Sequence, residues 1–195
     1  MTVMSNLVRN TVASLLLAVG FSLPALGQEA TEEALEEGSR LDRLYASLAE
    51  AEPGADQRIL REIFTEWGKS GSPTVDLLLE RGKDALDAGE LDAAIDHLTA
   101  AIDYAPDFAE PYHLRATAYY LTGRIGPSLA DLGRALALEP RHFRALRGFA
   151  VLLEELGEPA RALEVLEALL VLYPADLEAR AAAERLSAAL EGQSL

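Results

Sequence analysis

The chain has 195 residues, half of them hydrophobic, only 6 % aromatic and none cysteine, and its 32 acids against 17 bases give a formal charge of −15. The apolar share is ample for one folded domain. The lack of cysteine excludes disulfides, thiolate metal sites, cysteine catalysis and a lipobox anchor, and the negative charge opposes phosphate backbones and anionic headgroups, so no nucleic-acid partner is expected.

Residues 1–27 read as a secretory signal. Arg9 precedes an apolar stretch from Val12 to Leu23, Pro24 breaks it, and Ala25-Leu26-Gly27 offers small residues at the two positions a signal peptidase reads. The apolar core is well short of the ~20 residues a membrane span needs. Cleavage after about Gly27 is therefore expected, with the periplasm as destination and no stable membrane insertion afterwards. Residues 28–40 form an acidic spacer carrying Glu29, Glu32, Glu33, Glu36 and Glu37, with too few large apolar residues to fold by itself.

A helix pair is predicted next, over 41–73. Leu41, Leu44, Tyr45 and Leu48 share one helical face up to Glu52, and Pro53-Gly54 interrupts. Ala55 to Trp67 follows, with Ile59, Ile63 and Trp67 on one stripe. Trp67 is expected in the core, packing this pair onto the first of the units that come after it.

Those units share a period. Gly89, Gly123 and Gly157 are 34 residues apart, as are Pro106, Pro140 and Pro174, and so are Leu98, Leu132 and Leu166. Three columns with one period divide residues 74–176 into 75–108, 109–142 and 143–176. Each unit alone is too small to bury its apolar face, so the units must stack. Residues 177–190 supply a charged closing helix, and 191–195 are expected to fray.

The columns resemble the tetratricopeptide repeat family. Its first large position falls at Leu78, Tyr112 and Leu146, and its small positions at Gly82, Ala116 and Ala150 in the first helix of each pair. In the second helix the small positions are Ala94, Ser128 and Ala162, followed by Ala101 and Ala135, with Leu169 departing in the last unit. Arg81 and Arg115 also depart, at a place usually held by leucine. The resemblance implies an all-α fold: a right-handed α-solenoid of three tetratricopeptide-type helix pairs, with an N-terminal helix pair and a C-terminal capping helix.

It also implies a concave surface lined by the first helix of each pair. Carried over, its inward positions are Leu79, Lys83 and Leu86, then His113, Thr117 and Tyr120, then Arg144, Arg147 and Val151. Lys83, Arg144 and Arg147 form a cationic group suited to a carboxylate. Leu79 stands where the chaperone-binding members carry lysine, so a chaperone-tail partner is not inferred.

The histidines do not make a catalytic pattern. Asp96 and His97 are adjacent on a helix and point apart. Glu110 and His113 have ligand-like spacing, but two ligands rarely hold a metal. No metal, cofactor or enzymatic activity is expected. The reading is a non-catalytic periplasmic adaptor binding a protein or peptide partner of the cell envelope. The alternative is a structural module that self-associates in an envelope complex, using the 41–67 helix pair.

Overall fold

The computed structural model describes residues 40–193, and all regular structure among them is helical. The signal segment and all of the acidic spacer but Arg40 lie outside the described residues. The helices are α1 (40–49), α2 (Gln57–Trp67), α3 (Pro73–Asp87), α4 (Leu91–Tyr104), α5 (Ala109–Leu121), α6 (Ile125–Leu138), α7 (Phe143–Glu155), α8 (Pro159–Leu172) and α9 (Leu177–Gln193). α9 runs on through Gln193, past the end expected at residue 190, although Gly192 is a poor helix former. No described helix is long and apolar enough to cross a membrane.

The 34-residue columns are packing positions. α3–α4, α5–α6 and α7–α8 are the three pairs, and each pair packs on the next. Ala94, Ala101, Ala116, Ala135, Ala150, Ala162 and Ser128 are all buried, and Leu98, Leu132, Leu166 and Leu169 fill the space between them. The closest approach is at Gly82, where a Cβ would lie 2.6 Å from the Leu98 side chain. Each first helix ends the same way. Gly89 has φ +75°, its N–H donates to the Leu86 carbonyl, and Glu90 N–H donates back to Ala85. This closure satisfies carbonyls the helix end would otherwise leave open, and it recurs at Gly123 and Gly157.

The departure at Arg115 is compensated. Its guanidinium makes two hydrogen bonds to Asp131, at 2.7 and 2.8 Å, and a third to Thr99 Oγ1. The stem of a long side chain thus occupies the usual leucine position while the head makes three hydrogen bonds.

The leading helix pair is not where the sequence suggested. Trp67 is buried, but it packs where the second and third units meet rather than on the first. Its indole stacks on His142 with ring centroids 3.9 Å apart and touches Phe143 at 4.8 Å. Its Nε1–H donates to Tyr45 Oη at 3.0 Å, which ties α2 to α1. Arg141 joins Asp42 at 2.6 Å and lies over the Tyr45 ring, and Tyr173 Oη donates to Asp56. The apolar faces of α1 and α2 therefore share one core with α7, α8 and α9. The physical reason is the large aromatic surface at Phe143 and Tyr173, where the first unit holds Val75 and Ala105.

Candidate functional site

α3, α5 and α7 lie side by side, and α3 touches α5 as α5 touches α7. Six of the nine inward residues meet between the last two. His113, Thr117 and Tyr120 of α5 and Arg144, Arg147 and Val151 of α7 line one hollow of about 210 Å³. Its floor includes Ala116, Ser128, Leu132 and Leu152. Ser128 Oγ donates to the Ala116 carbonyl at 2.8 Å, so the polar atom of the floor is already satisfied. Thr117 Oγ1 donates to the His113 carbonyl, and Tyr120 Oη donates to Glu155.

The first unit does not join this hollow. Leu79 is a core residue, 3 % exposed, clustered with Leu98, Leu114 and Ala118. The assignment of Leu79 to the groove is thus corrected, because α5 of the next unit covers that position and an apolar side chain there gains more by burial. Leu86 is half-buried against the same cluster, and Lys83 is exposed apart from the hollow.

The two arginines differ. Arg147 pairs with the buried Asp176 and with Glu178 at 3.2 Å, and its Nε, also buried, has no hydrogen-bond acceptor. Arg144 has a single long ion pair, 4.0 Å to Glu110, and rests over the Phe64 ring at 5.2 Å from the centroid. Asp176 is committed as well, since its Oδ1 accepts from Ala179 N–H and caps α9.

Beneath the hollow the fold adds His142 to Glu110 and His113, a convergence the sequence reading missed. His142 is 32 residues from Glu110, and no repeat column marks it. The signal available was its place as the residue before α7, the position Asp176 holds before α9. His142 Nδ1 accepts from Ala145 N–H at 3.2 Å, and Nε2 lies 2.7 Å from Glu110 Oε2. His113 Nδ1, buried and without a hydrogen bond, is 3.7 Å from the same oxygen. Burial alone would raise the Glu110 carboxyl, but the two imidazoles hold it well below the usual carboxylate range. Burial pushes the His113 ring below its ordinary value, against the pull of Glu110.

The three donor atoms lie within 4.8 Å of one another, a spacing that would admit a cation. The proton inventory argues against that use. With Nδ1 accepting from Ala145, Nε2 carries the proton that Glu110 accepts. A metal on Nε2 would displace that proton and force Nδ1 to carry one, facing the Ala145 N–H donor to donor. The trio is therefore a buried strut linking α5 to the start of α7, on which Trp67 stacks.

No family model matches the chain. A TPR repeat-containing protein of Rhizobium etli is 38 % identical over 154 residues, covering 78 % of this chain and 76 % of its own. Tetratricopeptide repeat protein 36 of Mus musculus is 34 % identical over 106 residues, and this alignment spans about half of each chain, 54 % and 53 %. Among solved structures, the first TPR of Spaghetti (RPAP3), bound to the HSP90 peptide SRMEEVD, superposes with a TM-score of 0.59 at 27 % identity, over 62 % of this chain and 95 % of that one. The TPR2B domain of yeast Sti1 gives 0.55 at 24 % identity, over 60 % and 98 %, a likeness of fold alone. With the 34-residue columns seated as helix-pair contacts and the Rhizobium relative aligned along most of both sequences, the chain belongs to the tetratricopeptide repeat family.

Proposed function

We propose that this protein is a non-catalytic periplasmic adaptor that holds an extended segment of a cell-envelope partner in the hollow between α5 and α7. The observation that carries the reading is the convergence of six inward residues from two repeats on one largely apolar concavity with two guanidiniums at its rim. Apolar walls with a few placed charges suit a peptide whose side chains enter while a carboxylate is held at the edge. The peptide-bound Spaghetti domain is a precedent for this use of the fold. The periplasmic address rests on residues 1–27 and is tested by fractionation of cells expressing the full chain.

In-cell photo-crosslinking tests the groove. Benzoylphenylalanine at Tyr120 or Val151 is expected to trap a discrete partner, and the same probe at the exposed Val171 of α8 is not. Equal trapping at all three positions rejects the assignment. Self-association through the leading helix pair is less well supported, because Trp67, its obvious anchor, is already buried within the chain.

A further inference from the structure

We infer that the leading helix pair is part of the recognition surface: α2 walls a second cleft that prolongs the concave hollow and takes an acidic side chain beside a large apolar one from the same extended peptide. This rests on the concave-face reading above. The cleft, about 360 Å³, lies between α2, α7 and the start of α9, and its walls include Leu60, Phe64, Arg144, Arg147, Leu177 and Glu178. Arg144 and Arg147 line both the cleft and the hollow, so the two adjoin at α7.

The α2 wall is built to stay. Trp67, Ile63, Leu60 and Tyr45 are buried in the core shared with α7 to α9. Two apolar side chains nevertheless remain open on opposite walls, Phe64 at 37 % and Leu177 at 64 % exposure. Such a pair is left uncovered at a cost in hydration unless something apolar enters between them.

The charge of the ligand follows from which groups are already committed. Asp56 accepts from Tyr173 and from Gly54 N–H, and Asp176 is shared between Arg147 and the cap of α9. Glu178 is paired with Arg147. Arg144 is the least neutralised: its 4.0 Å contact is to a carboxylate that already accepts the shorter bond from His142. Its guanidinium is backed by the Phe64 ring, which shields one face from water and leaves the edge for a carboxylate. An acidic residue next to a Leu- or Phe-sized one fits both features within a single step of extended chain.

The test is selection of a random 12-residue phage-displayed peptide library on the immobilised full chain, followed by fluorescence anisotropy of the selected peptides. The expected consensus holds Asp or Glu adjacent to a large apolar residue. Leu177→Glu and Phe64→Gln should each weaken binding roughly tenfold, the size of a central interface contact. Changing the peptide carboxylate to the amide should cost a similar factor on the native protein and nothing on Arg144→Gln, a coupling that general damage to the fold would not produce. Leu177→Glu alters an exposed side chain at a helix start, so its circular dichroism should match the parent.

Peptides that lose binding on Val151→Glu but ignore Leu177→Glu and Phe64→Gln overturn this inference and leave the concave-face reading standing. Absence of any binder, or binders indifferent to all these changes, overturns both. A basic consensus overturns the assigned chemistry. A doubling of mass with concentration that Leu177→Glu abolishes gives the cleft to a second copy of the chain and overturns it likewise.

Discussion

Replacing Trp67 by alanine tests whether the leading helix pair is held where the second and third units meet. Trp67 is 6 % exposed and stacks at 3.9 Å on His142, with Phe143 at 4.8 Å and Phe64 at 5.7 Å. Truncating a buried tryptophan costs about 3–5 kcal/mol, combining lost transfer energy with the cavity left behind. The lost hydrogen bond to Tyr45 is part of that range, since Tyr45 Oη stays buried without its donor. For a chain of this length the change corresponds to a fall of roughly 10 °C in melting temperature. Thermal unfolding followed by circular dichroism measures it. Trp67→Phe should fall between the two, losing about 1–2 kcal/mol, because the ring stack survives in part. Limited proteolysis of Trp67→Ala should also cut early in the 68–72 segment. A loss below about 1 kcal/mol, with that segment still protected, would refute the docking.

Other outcomes follow from the same contacts. Gly82→Ala should destabilise by about 1 kcal/mol net, since overpacking against the immobile Leu98 exceeds the gain in helix propensity. Gly133→Ala, with nothing within 4 Å of the added carbon, should instead stabilise by up to about 1 kcal/mol, and urea midpoints separate the two. Arg115→Ala should cost about 3 kcal/mol by leaving Asp131 buried without its two hydrogen bonds, whereas the double change Arg115→Met with Asp131→Leu should recover most of that loss. Acid should weaken the fold in two stages. His113 is depressed in the folded state, so its contribution is complete above about pH 6.5 and declines as pH falls below that; Glu110, also depressed, adds a loss beginning near pH 4.5 and continuing downward. Urea midpoints against pH should show both stages, and His113→Asn should remove the first; stability rising between pH 7 and 5 would contradict the assignment.

The repeat architecture was legible because a solenoid writes its contacts at a fixed interval. A small residue such as Ala116 or Ala150 recurs where two helix axes come closest, and each glycine of the 89, 123 and 157 column recurs where the first helix must end. The docking of α1 and α2 was not legible, because it occurs once. The Ile59, Ile63, Trp67 stripe announces that a face is buried without saying against what, and its partners His142, Phe143 and Tyr173 belong to two different helix junctions. Leu79 shows the same ambiguity from the other side. Helical periodicity separates the covered face from the open one, but neighbouring first helices share a boundary, and the first inward position can turn to either. Only the identity of the covering residues, Leu114 and Ala118, decides it.

On the proposed reading, the inner arginines supply a cationic site within an acidic chain. Both are flanked by carboxylates, and the question is which carboxylate an incoming ligand can replace. Asp176 is 3 % exposed and also caps α9, so exchanging it would leave a buried carboxylate and an open helix end, and breaking buried pairs costs several kcal/mol. Arg147 is accordingly a fixed post. Glu178 is largely exposed, and a surface pair of that kind contributes at most about 1 kcal/mol. Arg144 has less to give up than either, because Glu110 keeps its bond to His142 whether or not the arginine stays near. Recognition should therefore depend on Arg144 through charge and on Arg147 through position. Lysine at 144 should retain part of the binding. Lysine at 147 should lose stability first, because it cannot reach Asp176 and Glu178 together in the forked geometry that the guanidinium provides.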